Sequence, residues 1–306
     1  MTRVLIVHAH PEPQSFTTSL QNAAAEELRK QSHEVVVTDL YALGFNPVAS
    51  SEDFSDRRNP DYLTYALEQR HAYGNGTLAP DVKPHVDLVL WAELVIFTFP
   101  IFWFSTPAIL KGWIDRVLLS GPFYGGLRFY DKGGMRGKKA WVVATLGGQP
   151  HMFGAESVHG DLSGLLSHFL RGTLGYVGFD VLKPFFAYHV PYITQDQRVE
   201  LLESFRQELR SLNTRPTMDF PSLSDFSEKL YPLTREGASS AHIAQERTET
   251  LKEQNRNGDE RLVLLDGMVG ATIALSHNEM KDFYRGGGLV ASIGLVFSLF
   301  VLWLYL

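Results

Sequence analysis

Three short segments of the chain hold the residues best suited to chemistry. The first, His8-Ala9-His10-Pro11-Glu12-Pro13-Gln14-Ser15-Phe16-Thr17, ends in hydroxyls just ahead of a helical pattern. Hydroxyls and backbone N–H groups at a helix start form an anion site, to which His10 can add a donor. By themselves such hydroxyls are more often helix caps than ligands. The second segment, Phe99-Pro100-Ile101-Phe102-Trp103-Phe104-Ser105-Thr106-Pro107, is an aromatic cluster between prolines. Flat apolar walls of that kind suit a planar ring. The third, Thr145-Leu146-Gly147-Gly148, lets backbone N–H groups approach a ligand closely. The first segment has neither GxGxxG nor a Walker pattern, which excludes a classical dinucleotide loop.

These segments need a scaffold that brings them together, and the flanking patterns predict one. Val4–Val7 and Val35–Val37 are β-branched runs. Leu94–Phe99 is a continuous apolar run ended by Pro100, as expected of a strand buried on both faces. Ala140–Thr145 and Asp180–Phe186 are two further strands. Helical spacing predicts helices over Thr17–Gln31, Pro107–Leu119, Leu162–Tyr176 and Asp196–Leu212. Asn46–Pro80 reads as long surface loops. Five strands alternating with helices argue for a doubly wound parallel α/β sheet. In such a sheet ligands bind beyond the carboxyl ends of the strands, where all three segments fall. Three loops converging on one crevice favour a bound flavin.

Composition narrows the chemistry. The 306 residues are 44% hydrophobic and 20% charged, with net charge −6. These are globular values, and the charge argues against nucleic acid as a partner. Cysteine is absent. Disulfides, zinc–thiolate sites, iron–sulfur clusters and thiol nucleophiles are therefore excluded, and no metal site is assigned. Redox chemistry would need an organic cofactor.

After Pro232 the pattern changes. Residues 233–261 read as a charged linker and 262–285 as a juxtamembrane segment. Gly286–Leu306 is 21 residues without a charge, spanning about 31 Å as a helix. That matches a bilayer core and predicts a C-terminal hydrophobic transmembrane helix. Trp303 and Tyr305 sit where aromatic rings favour the interface. With no signal-like N-terminus, the expectation is a cytoplasmic catalytic domain (1–232) tail-anchored to a membrane.

From residue 3 to about 230 the chain resembles the NAD(P)H:quinone oxidoreductases of DT-diaphorase type, in the flavodoxin-like superfamily. The strings that carry the resemblance are VLIVHAHPEPQSF, DLYALGFNP, LVIFTFPIFWFSTPAILKGWIDRV, YDKG, TLGG and VHGDL, in that order. The resemblance implies a flavodoxin-like, five-stranded homodimer with FAD, rather than FMN, at the subunit interface. His10, Ser15, Phe16 and Thr17 match nucleotide contacts. Pro100, Ile101, Trp103, Phe104, Thr145, Gly147 and Gly148 match the wall of the flavin ring, and Arg198 a basic contact to the cofactor. Tyr124, Met152 and Tyr176 match the substrate pocket, with both tyrosines reaching in from the partner subunit. His159 matches a catalytic histidine, although its VHGDL turn alone reads as structural. Gly147 and Gly148 would supply catalytic backbone donors. Four departures stand out: Phe153 for a catalytic Tyr, Thr64 for a cross-subunit Gln, Gly126 for a pocket Tyr and Leu146 for a Thr. The implied activity is a ping-pong hydride relay from NAD(P)H through the flavin to a quinone. The alternative is a flavin-binding ancillary subunit of a membrane transporter.

Overall fold

The apolar runs assemble into one parallel sheet. A computed structural model of the chain describes residues 1–226. The five strands are β1 (Arg3–His8), β2 (Glu34–Asp39), β3 (Leu94–Pro100), β4 (Lys139–Thr145) and β5 (Asp180–Ala187). Their order is β2-β1-β3-β4-β5, all parallel. The chain runs outward from β1 to β2 and crosses back to β3. The switch point therefore lies between β1 and β3.

Both faces of the sheet are covered, which is why the strands are apolar throughout. Side chains alternate across a strand, so Val4 and Ile6 join one core and Leu5 and Val7 the other. The first core lies under α1 (Phe16–Lys30) and α7 (Gln195–Arg210), with Leu20, Leu28, Trp141, Phe205 and Leu209 inside. The Trp141 ring stacks on Phe205 at 5.5 Å. The second lies under α3 (Lys83–Trp91), α4 (Ala108–Val117) and the segment after α5 (Leu162–Leu165). Trp113, Phe97 and Phe169 are buried there. Each such side chain contributes about 1.5–3 kcal/mol by leaving water.

Two expectations need correction. Asn46–Pro80 is not a set of surface loops: it contains α2 (Tyr65–Asn75) and buries Asp53, Phe54, Ala72 and Ala79. A buried charge network holds it. The Arg116 guanidinium on α4 is 3% exposed, donates to Asp53 at 2.6 and 3.0 Å and reaches Asp81 at 2.7 Å. The helix expected over Leu162–Tyr176 is instead three short pieces. α5 gives way to α6 (Ser167–Phe169) and then to a wider π turn over Leu170–Gly175. Gly175 abuts the Phe220 ring, which would lie 3.3 Å from an added Cβ.

The linker 233–261, the segment 262–285 and the apolar stretch 286–306 lie outside the described residues. Among the described residues no helix is long and apolar enough to cross a membrane.

Candidate active site

The sheet delivers all three segments to the carboxyl ends of neighbouring strands. β1 ends at His8, β3 at Pro100 and β4 at Thr145, and these strands are neighbours with Pro100 paired to Thr145. The crevice between their loops has a floor of hydroxyls and imidazole. His8 is 1% exposed, and burial lowers its pKa to about 4, so its ring is neutral at physiological pH. Its Nδ1 lies 2.8 Å from the Thr98 hydroxyl and its Nε2 3.2 Å from that of Thr18. Thr18 donates its proton to the Glu12 carbonyl. His8 must then donate through Nε2 to Thr18 and accept at Nδ1 from Thr98. The Thr17 and Thr145 hydroxyls bond each other at 2.7 Å.

Ser15 caps α1, accepting from the Thr18 N–H at 3.1 Å. The N–H groups of Phe16 and Thr17 start this 15-residue helix without a partner among the described residues. His10 accepts from the Glu12 N–H at Nδ1, and burial holds its pKa below the usual value. Its Nε2 proton is left to donate outward. The Arg198 guanidinium lies over the Phe16 ring at 5.8 Å and donates to the Val190 carbonyl at 2.6 Å. These two residues share a cavity of about 330 Å³ with Gln14, Ser19, Gln195 and Leu202. None of those four was given a site role from sequence. The available signal was the Thr194–Gln197 capping box, which sets Gln195 and Arg198 in the first turn of α7.

The opposite wall is aromatic and strained. Phe102 and Ser105 exchange backbone bonds at 3.1 and 2.9 Å, closing a two-residue turn. Its central residues, Trp103 and Phe104, have φ of 51° and 55°. Such turns normally take Asn or Gly, and bulky side chains there store about 1–3 kcal/mol each. Trp103 is 97% exposed. The Phe104 ring packs against Phe153 and His159, and those two face each other at 5.1 Å. His159 is held by its backbone N–H to the Met152 carbonyl, and its ring nitrogens have no protein partner among the described residues. This wall therefore gathers Met152, Phe153, His159 and Phe104.

At the end of β4, the N–H groups of Gly147 and Gly148 are also without a protein partner among the described residues, whereas their carbonyls accept from His189. A Cβ on Gly148 would lie 2.8 Å from the Phe153 ring, but one on Gly147 would meet only ordinary contacts at 3.9 Å. The protein itself thus leaves room above Gly147. Outward N–H donors beside flat apolar walls, with a helix N-terminus and an arginine at the far end, fit a planar carbonyl-bearing ring joined to phosphates.

Tyr124 and Tyr176 are brought together with each other, at 5.6 Å, and with Phe129 and Tyr130. Burial raises the Tyr124 pKa. Among the described residues, no ring contact joins this group to the wall formed by Phe104, Phe153 and His159.

The family model described as "Flavodoxin-like fold" matches residues 2–211. The chain is 42% identical to mouse ribosyldihydronicotinamide dehydrogenase [quinone] over 211 residues, covering 69% of this chain and 91% of that one. It is 40% identical to rat NAD(P)H dehydrogenase [quinone] 1, over 69% of this chain and 77% of that one. A solved structure of a candidate quinone reductase from Klebsiella pneumoniae matches with a TM-score of 0.72 at 30% identity, over 77% of this chain and 95% of that one. With the sheet order in agreement, the chain belongs to the flavodoxin-like NAD(P)H:quinone oxidoreductase family.

Proposed function

We propose that the protein is a flavin-dependent NAD(P)H:quinone oxidoreductase that binds FAD and carries two electrons per turnover to a quinone by a ping-pong cycle. The observation that carries this reading is the pair of N–H groups at Gly147 and Gly148 without a protein partner among the described residues, beside the Phe153 ring that packs against His159. When bound, the flavin supplies the hydride chemistry, and the protein supplies orientation and charge stabilisation.

The chain's own residues divide that work. Phe16 and Thr17 offer N–H groups to a phosphate, with His10 Nε2 and Ser15 beside them. Arg198 and Phe16 line space for the second nucleotide half, which favours FAD over FMN. Pro100, Ile101, Trp103 and Phe104 wall the ring and keep water from its face. Thr145 contributes by holding the floor, because its hydroxyl is engaged with Thr17. Gly147 and Gly148 place donors where negative charge develops. His159, whose ring nitrogens are unengaged among the described residues, holds or delivers a proton to the acceptor oxygen. Phe153 has no proton to give, so His159 or water must act without a phenol at that position. Met152 and Phe153 border the acceptor, and Tyr124 and Tyr176 complete the pocket of a second subunit in a homodimer. The reading also includes tail-anchoring, supported by the sequence of residues 286–306 alone.

Purification of the full chain tests the proposal. A yellow protein that releases FAD on denaturation, bleaches with NAD(P)H under anaerobic conditions and gives parallel double-reciprocal lines with a quinone is the expected result. A folded, colourless protein that takes up neither FAD nor FMN overturns it. Resistance to carbonate extraction, lost on truncation at Pro232, tests the anchor.

A further inference from the structure

We propose that His168 is a positioning residue for the acceptor pocket: its hydrogen bond to Ser105 latches the strained Phe102–Ser105 turn and fixes where the Trp103 and Phe104 rings stand. This rests on the proposed function, in which Phe104 walls the ring and packs against Phe153 and His159 on the acceptor side.

A turn with two bulky residues in the left-handed region relaxes unless its surroundings hold it. The backbone bonds between Phe102 and Ser105 close the turn but tie it only to itself. Among the described residues, its one side-chain hydrogen bond to another element is Ser105 Oγ to His168 Nε2, at 3.0 Å. The direction of that bond follows from the other ring nitrogen. His168 Nδ1 lies 3.3 Å from the Leu165 carbonyl, which can only accept. In the tautomer with Nδ1 donating to that carbonyl, Nε2 accepts from the serine hydroxyl.

The far end of the latch is rigid. His168 is followed by Phe169, 1% exposed, whose ring packs edge-on against Phe97 at 5.3 Å and Phe99 at 5.8 Å. Both belong to β3, the strand that leads into the turn. The path from β3 through the turn, Ser105, His168 and Phe169 returns to β3 and closes a ring of contacts. Phe104 gains a second support from the His159 ring at 5.2 Å. Trp103, almost fully exposed, makes no ring contact among the described residues, so the protein's own hold on it comes through the turn.

The test compares His168→Ala, Ser105→Ala, the double variant and His168→Gln in the full-length flavin-loaded protein. Loss of the latch lowers the fraction of molecules with a formed wall, so the KM for a quinone should rise about fivefold while kcat stays near the parent value. The double variant should be no worse than either single one. His168→Gln, which can still accept from Ser105, should restore the KM. Fluorine NMR of fluorotryptophan-labelled protein reads the wall directly, with the Trp103 resonance assigned through Trp103→Phe. Its resonance should shift or broaden in His168→Ala before any substrate is added and return in His168→Gln. An unchanged Trp103 resonance, or additive effects of the two alanine variants, overturns the latch. A shifted resonance in protein that reduces no quinone would leave the latch standing and remove the functional reading.

Discussion

Thr17 and Thr145 meet through their hydroxyls at 2.7 Å although 128 residues separate them, and both are buried. This bond pins the first turn of α1 to the end of β4, and so sets the spacing between the helix N-terminus and the glycine loop. Removing one partner strands the other hydroxyl in a dry site. Thr17→Val should therefore destabilise the protein by about 1–3 kcal/mol, and Thr17→Val with Thr145→Val should recover part of the loss. Urea titrations of the three variants check this.

The two loop glycines should behave differently. Gly147→Ala meets only contacts near 3.9 Å within the protein, so its stability should stay within about 0.5 kcal/mol of the parent. Its flavin affinity should nevertheless fall on the order of tenfold, about 1.4 kcal/mol, because the new methyl enters the space kept for the ring. Gly148→Ala must displace Phe153 and should lose stability as well. Melting temperature and flavin titration, measured on the same samples, separate the two effects.

His159→Ala is expected to lower quinone turnover by roughly 10²-fold, the lower range for a positioned acid–base group. Phe153→Tyr, which restores a phenol beside His159, should be neutral or activating. Unchanged rates for both half-reactions of His159→Ala in stopped flow would remove its assigned role.

His8 gives a pH dependence with a definite sign. Its pKa falls from 6.5 to about 4 on folding because burial disfavours the cation. Between those values the unfolded chain binds more protons. The stability that neutral His8 allows is thus complete above pH 6.5 and is lost as pH falls toward 4, about 3 kcal/mol in all. His8→Leu should start less stable at pH 7, with Thr98 and Thr18 deprived of their partner. The gap to the parent should narrow as pH approaches 4. Denaturant unfolding at stepped pH measures that gap.

Arg116→Met should be among the most damaging substitutions outside the crevice. It leaves buried Asp53 uncompensated, at a cost of about 3–5 kcal/mol. Protease sensitivity localised to residues 46–80 is the expected signature, because that insertion hangs on the guanidinium.

The strands were legible because a strand buried on both faces is apolar at every position, as in Leu94–Phe99. α2 was not, because its buried face is polar. Glu68 accepts from the N–H groups of Arg58 and Asn59, and Gln69 bonds the Asp115 carbonyl and the Ser120 N–H. Such a face leaves no apolar period to read. α3 was missed because nine residues with only Val86 and Val89 buried make a faint pattern. The aromatic wall was visible as composition, but its left-handed turn was not, since neither Trp103 nor Phe104 signals a positive φ. The nearness of Arg198 to Phe16 was implied only by the resemblance. It depends on α1 and α7 packing on the same face of the sheet.

The donors that face the crevice from Gly147, Gly148, Phe16 and Thr17 belong to the main chain, while the hydroxyls around them are engaged with one another. No exchange of side chain can delete a peptide N–H, short of proline. Substitution can obstruct these donors, as a methyl at Gly147 or Gly148 would, but cannot remove them, whereas the aromatic turn opposite consists wholly of replaceable side chains.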